Sequence, residues 1–365
     1  MNLTWNIFCR VIDNFGDIGV CWRLAVNLAE RGQSVRLWVD DASALTWMAS
    51  EPVHGVHVLS WTTPFDMSGM TPGDVLIEAF GCEIALEFIA NYADGIRAGG
   101  QKCLWINLEY LTAEYYAAKC HGLPSPVMSG PGKGLTKHFF YPGFTSGTGG
   151  LLRETHLLEQ QAQFDKTAWL AHYHTDGQEH SRVVSLFCYE GMDLRLWLAA
   201  LASDTVPTLL LVSAGQSTRA VRRVMGHEIS LKPNRDKRGA LSISYLPLLS
   251  QLEFDHLLWA CDLNFVRGED SLVRALWAGK PFVWQIYPQD DGAHHAKLHA
   301  FLDWLKAPPS LRLAHDVWNG LVQGAMHWPA VTPWQSTVTL ARQRLWVQDD
   351  LADALIQFVL KSRHG

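Results

Sequence analysis

Residues 263–285 read LNFVRGEDSLVRALWAGKPFVWQ, and this stretch limits the fold more than any other. An apolar run at 263–266 meets a polar loop at 267–270. A helical pattern follows at 271–278, then a Gly-Lys-Pro turn and a second apolar run at 282–284. Strand, loop, helix, turn and strand in so short a space predict a βαβ unit, and hence a parallel sheet. The loop matters most. Asp270 and Ser271 are expected to open the helix, where backbone N–H groups lack intrahelical partners. A helix N-terminus carries roughly half a positive charge and suits a phosphate group. Arg267, one turn earlier, can add a two-pronged contact to phosphate oxygens. The plain alternative makes Asp270 or Ser271 an ordinary N-cap and Arg267 a surface ion-pair partner. Glu269 and Asp270 sit awkwardly beside an anion, because carboxylates repel phosphate. One arrangement removes the conflict: Glu269 faces ribose hydroxyls while the backbone amides face phosphates. That division of labour describes a sugar-nucleotide site.

The same alternation runs along the chain. Residues 4–11 read as a first strand and 19–30 as a helix stopped by Gly32. Strands are expected at 34–39, 74–79 and 101–106, with a helix at 83–92. From 123 to 150 the chain changes character, and 123–134 and 141–150, rich in Pro, Gly and Ser, are expected to be loop. After a helical patch at 151–164, strands are expected at 183–187, 208–212 and 241–245, and helices at 194–202 and 217–225. Ser250-Gln251-Leu252-Glu253 reads as a capping box opening a helix to residue 260. Helices at 292–305 and 349–361 close the chain. The pattern is α/β, in two successive halves with a loop-rich join. Ligands of such sheets sit beyond the C-terminal strand ends, and two facing halves make a cleft. No GxGxxG follows the first strand, which argues against a dehydrogenase-type dinucleotide fold or an NAD enzyme.

The first loop holds Asp13-Asn14-Phe15-Gly16-Asp17. Two carboxylates four residues apart between a strand and a helix can converge on one point, and Gly16 would permit the turn. The helix dipole favours the ionised form of Asp17, which suits a cation. As the plain alternative, Asp17 is an N-cap. Asp13 at a strand end gains nothing from capping. Three further residues carry weaker signals. Tyr189 follows a strand and can contact a base or phosphate, or be a core aromatic. Gln251 and Phe254 can hold a nucleobase by hydrogen bond and stacking, or belong to an ordinary amphipathic helix.

Composition narrows the partners. The 365 residues carry a net charge of −6, so no broad basic footprint for nucleic acid or anionic lipid is expected, although Arg219, Arg222 and Arg223 share one helix. The seven cysteines show no CxxC spacing and read as buried thiols in a reducing compartment. The sixteen histidines form no metal motif; His294 and His295 are adjacent, about 100° apart on a helix, and unsuited to one ion. Asp290-Asp291 resembles a DxD metal motif only superficially. The opening residues lack a basic segment before an apolar core, and no run approaches the roughly 18 apolar residues of a membrane span. A soluble, cytoplasmic protein is expected.

With these residues placed, the chain resembles the elongation factor P arginine rhamnosyltransferases (EarP). The resemblance rests on NIFCRVIDNFGDIGVCWRLA at 6–25, FGCE at 80–83, NLEYL at 107–111, SLFCYE at 185–190 and FVRGEDSLVRALWAGKPFVWQIYPQDDGAHHAKL at 265–298. It implies a GT-B glycosyltransferase: two Rossmann-like domains facing a central cleft. We expect an acceptor domain at 1–178, a donor domain at 179–344, and a closing helix at 345–365 that packs back on the first. It further implies an inverting, metal-independent enzyme with no cofactor. Such an enzyme transfers L-rhamnose from dTDP-β-L-rhamnose to an arginine of elongation factor P, activating that factor for ribosomes stalled at polyproline. Carried over by motif, Asp13 and Asp17 are the acceptor-side carboxylates, with Asp17 the base, and Asn14, Phe15 and Gly16 line the substrate beside them. Glu269 holds ribose or sugar; Arg267, Asp270 and Ser271 bind the diphosphate; Tyr189, Gln251 and Phe254 line the thymidine side. A GT-B enzyme acting on a small molecule or glycan is the alternative.

Overall fold

The computed structural model describes residues 2–12, 15–49, 51–61, 73–98, 103–173, 182–190, 193–226, 235–289, 292–324 and 331–364. In chain order the first elements are β1 (Thr4–Cys9), α1 (Gly16–Glu30), β2 (Ser34–Val39), α2 (Leu45–Met48), β3 (Val56–Ser60), β4 (Val75–Ala79), α3 (Leu86–Arg97), β5 (Leu104–Leu108), α4 (Tyr115–Cys120), β6 (Pro124–Pro126) and β7 (Thr136–Phe140). There follow α5 (Leu157–Gln163), α6 (Lys166–Tyr173), β8 (Arg182–Leu186), α7 (Arg195–Ser203), β9 (Thr208–Val212), α8 (Gln216–Met225), β10 (Arg235–Arg238) and β11 (Leu241–Tyr245). The chain ends with α9 (Gln251–Ala260), β12 (Leu263–Arg267), α10 (Gly268–Ala278), β13 (Phe282–Gln285), α11 (Ala293–Leu305), α12 (Pro309–Trp318), α13 (Val331–Trp346) and α14 (Leu351–His364).

These make two α/β units. Met1–Thr155 with Leu345–Gly365 forms one, and His156–Arg344 the other. The sheet of the first unit has the order β3-β2-β1-β4-β5-β7-β6, parallel apart from the β6–β7 pair. β1 is central because it is apolar on both faces, as buried parallel strands are; Trp5, Ile7, Phe8 and Cys9 are inaccessible to solvent. Cys21, Leu24 and Leu28 of α1 share its core with Leu351, Leu355 and Val359 of α14. Each such side chain contributes about 1.5–3 kcal/mol by leaving water. Arg31 Nε donates to Asp353 Oδ1 at 2.7 Å, fixing α14 beside α1. The run at 123–134 is not all loop, as its composition suggested. β6 lies within it, because a three-residue edge strand tolerates two prolines whose missing N–H groups are not needed there.

The second sheet has the order β10-β11-β9-β8-β12-β13, with only β10 antiparallel. The division between units falls at residues 155/156 rather than 178/179. The reason is a contact distant in sequence. Trp169 Nε1 and Tyr173 Oη of α6 donate to Glu253 Oε2 of α9 at 2.7 and 3.0 Å, and Trp169 joins the core of Leu209 and Leu257. The capping box is thus half formed. Ser250 Oγ accepts from the Glu253 amide at 3.2 Å, while the Glu253 carboxylate serves α6 instead of the cap. Arg274 of α10 and Asp255 of α9 form a buried two-pronged pair that locks these helices together.

Candidate functional site

In the first unit, β1 delivers the chain into α1. Asp13 and Asn14 lie outside the described residues. Phe15 is the N-cap of α1, so Asp17 is not a cap: it sits in the first turn, buried, and Oδ2 accepts from the Ile12 amide at 3.1 Å. Gly16 is the first helical residue without a left-handed φ, and a Cβ there would meet open space, so the turn does not require glycine. Phe15 is 43% exposed and lies edge-on to Trp47 at 5.0 Å. The neighbouring strand exits carry the two short motifs of this unit. Phe80, past β4, takes φ 57° and stacks on Tyr110 at 4.8 Å, past β5. A left-handed phenylalanine costs about 1–2 kcal/mol, the kind of local strain that collects at working sites. Asn107 Nδ2 donates to Glu109 Oε1 at 2.7 Å, and burial raises the Glu109 carboxyl above its usual range. Sheet order β1-β4-β5 therefore brings Asp17, Phe80 and Glu109 to one edge.

In the second unit, the βαβ stretch is β12, α10 and β13, and α10 starts three residues earlier than expected. Arg267 is the N-cap, extended at φ −137° and ψ 155°, and Gly268 is the first helical residue. Its φ of +69° favours glycine, and a Cβ would come within 3.2 Å of Tyr189 Oη. The amides left without intrahelical acceptors are then those of residues 268–270. Ser271 has a different part: its Oγ donates to the Arg267 carbonyl and accepts from the Arg267 amide at 3.1 Å. Glu269 and Asp270 occupy the first turn.

The Arg267 guanidinium lies 4.4 Å from the Phe187 ring and 4.5 Å from the Tyr189 ring. Its Nη1 donates to the Cys188 carbonyl at 3.1 Å and to Gln216 Oε1. Phe254 meets Phe187 edge-on at 5.5 Å, and Tyr189 meets Tyr287 at 5.6 Å. The Tyr189 amide donates to Gln285 Oε1 at 2.8 Å. Tyr189, Phe254, Arg267 and the α10 start are therefore one assembly, and Gln251 opens α9, one turn before Phe254. Lys297 Nζ contacts Glu269 Oε1 at 2.6 Å. Phe187, Gln285, Tyr287 and Lys297 lie inside the quoted motifs without a role of their own there, and Gln216 lies outside them. The signal available for four of them is position at or just past a strand's C-terminal end.

Glu190 pairs with Arg219 at 3.1 Å and Arg223 at 2.7 Å, and these guanidiniums hold its carboxyl below the usual range. Arg222 lies 4.8 Å from the Tyr245 ring, so this helix is not an open basic face. All seven cysteines are free, and burial pushes the Cys188 thiol up to about 11 and Cys82 up to about 12. The His294 and His295 rings lie 4.0 Å apart, closer than ideal helical spacing suggests. Among the described residues no cluster of three metal-ligating side chains occurs, and no helix is long and apolar enough to cross a membrane.

Two α/β units of this kind, with candidate residues at their strand ends, make the GT-B fold. Solved glycosyltransferases share the fold at low identity: Arabidopsis thaliana UGT89C1 complexed with UDP has a TM-score of 0.54 at 12% identity, covering 99% of each chain. VinC in complex with dTDP has 0.50 at 13%, covering 100% of each. The model of the family described as elongation factor P (EF-P) rhamnosyltransferase EarP matches residues 5–360, and the chain belongs to that family. It is 43% identical to a protein-arginine rhamnosyltransferase of Pseudomonas putida over 99% of this chain and 100% of the relative. It is 39% identical to that of Pseudomonas aeruginosa over 97% and 98%. A structure solved to explain EarP-mediated arginine glycosylation of translation elongation factor EF-P superposes with a TM-score of 0.67 at 31% identity, covering 99% of this chain and 100% of the other.

Proposed function

We propose that this glycosyltransferase moves L-rhamnose from dTDP-β-L-rhamnose to a side-chain nitrogen of an arginine in elongation factor P. In this reading the anomeric carbon inverts, no divalent ion takes part, and the enzyme works in the cytoplasm. The observation that carries the reading is the charge at the two sets of strand ends. A buried carboxylate, Asp17, stands in the first turn of one helix, and the Arg267 guanidinium stands at the start of another.

A guanidinium is protonated at any working pH, so its nitrogens are poor nucleophiles. Carboxylates at residues 13 and 17 would bind it, concentrate its charge on one side and weaken resonance at the attacking nitrogen. An ionised aspartate is too weak a base to deprotonate arginine beforehand. Asp17 therefore accepts the proton late, as the C–N bond forms. Departing dTDP gains negative charge, which the amides of residues 268–270 and Arg267 stabilise. Asn14, Phe15 and Gly16 border the acceptor, Glu269 takes donor hydroxyls, and Gln251, Phe254 and Tyr189 border thymidine.

The test is intact-mass spectrometry of purified elongation factor P incubated with the enzyme and dTDP-β-L-rhamnose, with and without EDTA. One added deoxyhexose in both samples is expected. No addition removes the acceptor assignment, and addition lost only with EDTA removes the metal-free leaving-group account.

A further inference from the structure

The first turn of α10 holds Glu269 and Asp270, and Arg267 is its N-cap. The diphosphate of a nucleotide sugar would be repelled by these carboxylates unless one were neutralised. The neutralising group comes from another helix. Lys297 of α11 reaches back to Glu269 Oε1 at 2.6 Å, with both side chains only about one-fifth exposed (21% and 22%). The pair lies at the C-terminal edge of the second sheet, beyond β12 and β13, where the aromatic assembly around Arg267 also sits.

We propose that Lys297 is the positioning residue for Glu269 in the donor site. It brings the formal charge of the α10 start to zero and holds one carboxylate oxygen, so that the other turns to the hydroxyls of the incoming nucleotide sugar. The proposal rests on the donor-site reading given above. An ion pair that keeps some contact with water adds less to folding than a fully buried one. Its removal should therefore be felt in donor affinity far more than in stability.

The experiment is calorimetric titration of the full-length protein with dTDP-β-L-rhamnose, alongside thermal melts. K297M is expected to melt within about 2 °C of wild type and to bind the donor about tenfold more weakly, the effect of one uncompensated charge at partial exposure. K297R should recover affinity to within about threefold, because it restores the charge and the contact. In an E269Q background, replacing Lys297 should cost less than about threefold, because there is no carboxylate left to position. Should K297M not fold, K297Q is measured in its place. Equal donor affinity in wild type and K297M overturns the role of Lys297 alone. So does a loss in the double variant equal to the product of the single losses. Wild-type protein that does not bind the donor overturns the donor-site reading, and this proposal with it.

Discussion

The pair formed by Arg274 and Asp255 holds the two helices that carry most of the residues proposed to bind the donor, and breaking it has a calculable consequence. Arg274 Nε and Nη2 donate to the two Asp255 oxygens at 2.7 and 2.8 Å. The side chains are 1% and 6% exposed. In R274M the Asp255 carboxylate loses its buried counter-ion, and removing one member of such a pair costs about 3–5 kcal/mol. For a unit of this size each kcal/mol moves the melting temperature by about 2–4 °C, so a fall of about 6–20 °C is expected for His156–Arg344. Substituting both partners, D255L with R274M, removes charge and counter-charge together and should recover most of the loss. Thermal unfolding followed by limited proteolysis and mass spectrometry separates the two units, and only fragments of the second should appear earlier. Donor affinity should fall with stability in R274M, because Gln251 and Phe254 ride on α9 while Glu269 rides on α10. If R274M melts within 2 °C of wild type, or if the double variant is as unstable as the single one, the pair does not hold the helices as described.

Further outcomes follow from individual residues. D17N should retain donor affinity to within about threefold while turnover falls by at least about 100-fold, since general-base contributions span roughly 10²–10⁴; matched losses in calorimetry and turnover would place Asp17 with the donor. His315 is buried and neutral: Nε2 accepts from the Trp284 amide at 3.0 Å, and burial lowers its pKa to about 4. The unfolded chain then binds a proton that the folded chain refuses, so stability should fall as pH drops from about 6.5 towards 4, by roughly 1 kcal/mol per unit. Denaturant titrations at several pH values read that slope, and H315Q should flatten it. G268A forces a Cβ into left-handed backbone beside Tyr189 Oη, and should cost about 1–2 kcal/mol of stability and weaken donor binding; unchanged melting would mean the Arg267–Gly268 turn adapts freely.

Much of the α/β pattern was legible along the chain because periodicity and punctuation are local. Residues 263–285 had to make a strand, a helix and a strand: two short apolar runs flanked an amphipathic segment with a Gly-Lys-Pro break. The long motifs fall at strand ends of both sheets. Local reading failed where a contact distant in sequence decided the outcome. The start of α10 moved to Gly268 because Arg267 is stacked between rings that follow β8 and can cap in extended form, while Ser271 folds back on it. β6 was hidden by its prolines, which read as loop until an edge position removes their cost.

By itself, then, the chain determined its alternation of strands and helices, its acidic balance, and which segments carry carboxylates, arginines and aromatic rings; all of these follow from neighbouring residues. Only the tertiary structure decided which side chains meet. Glu253 turned to Trp169 and Tyr173 of α6, Glu269 found Lys297 from α11, and Arg267 settled between Phe187 and Tyr189. Partners so far apart in sequence are chosen by strand order and helix packing, which no local pattern encodes.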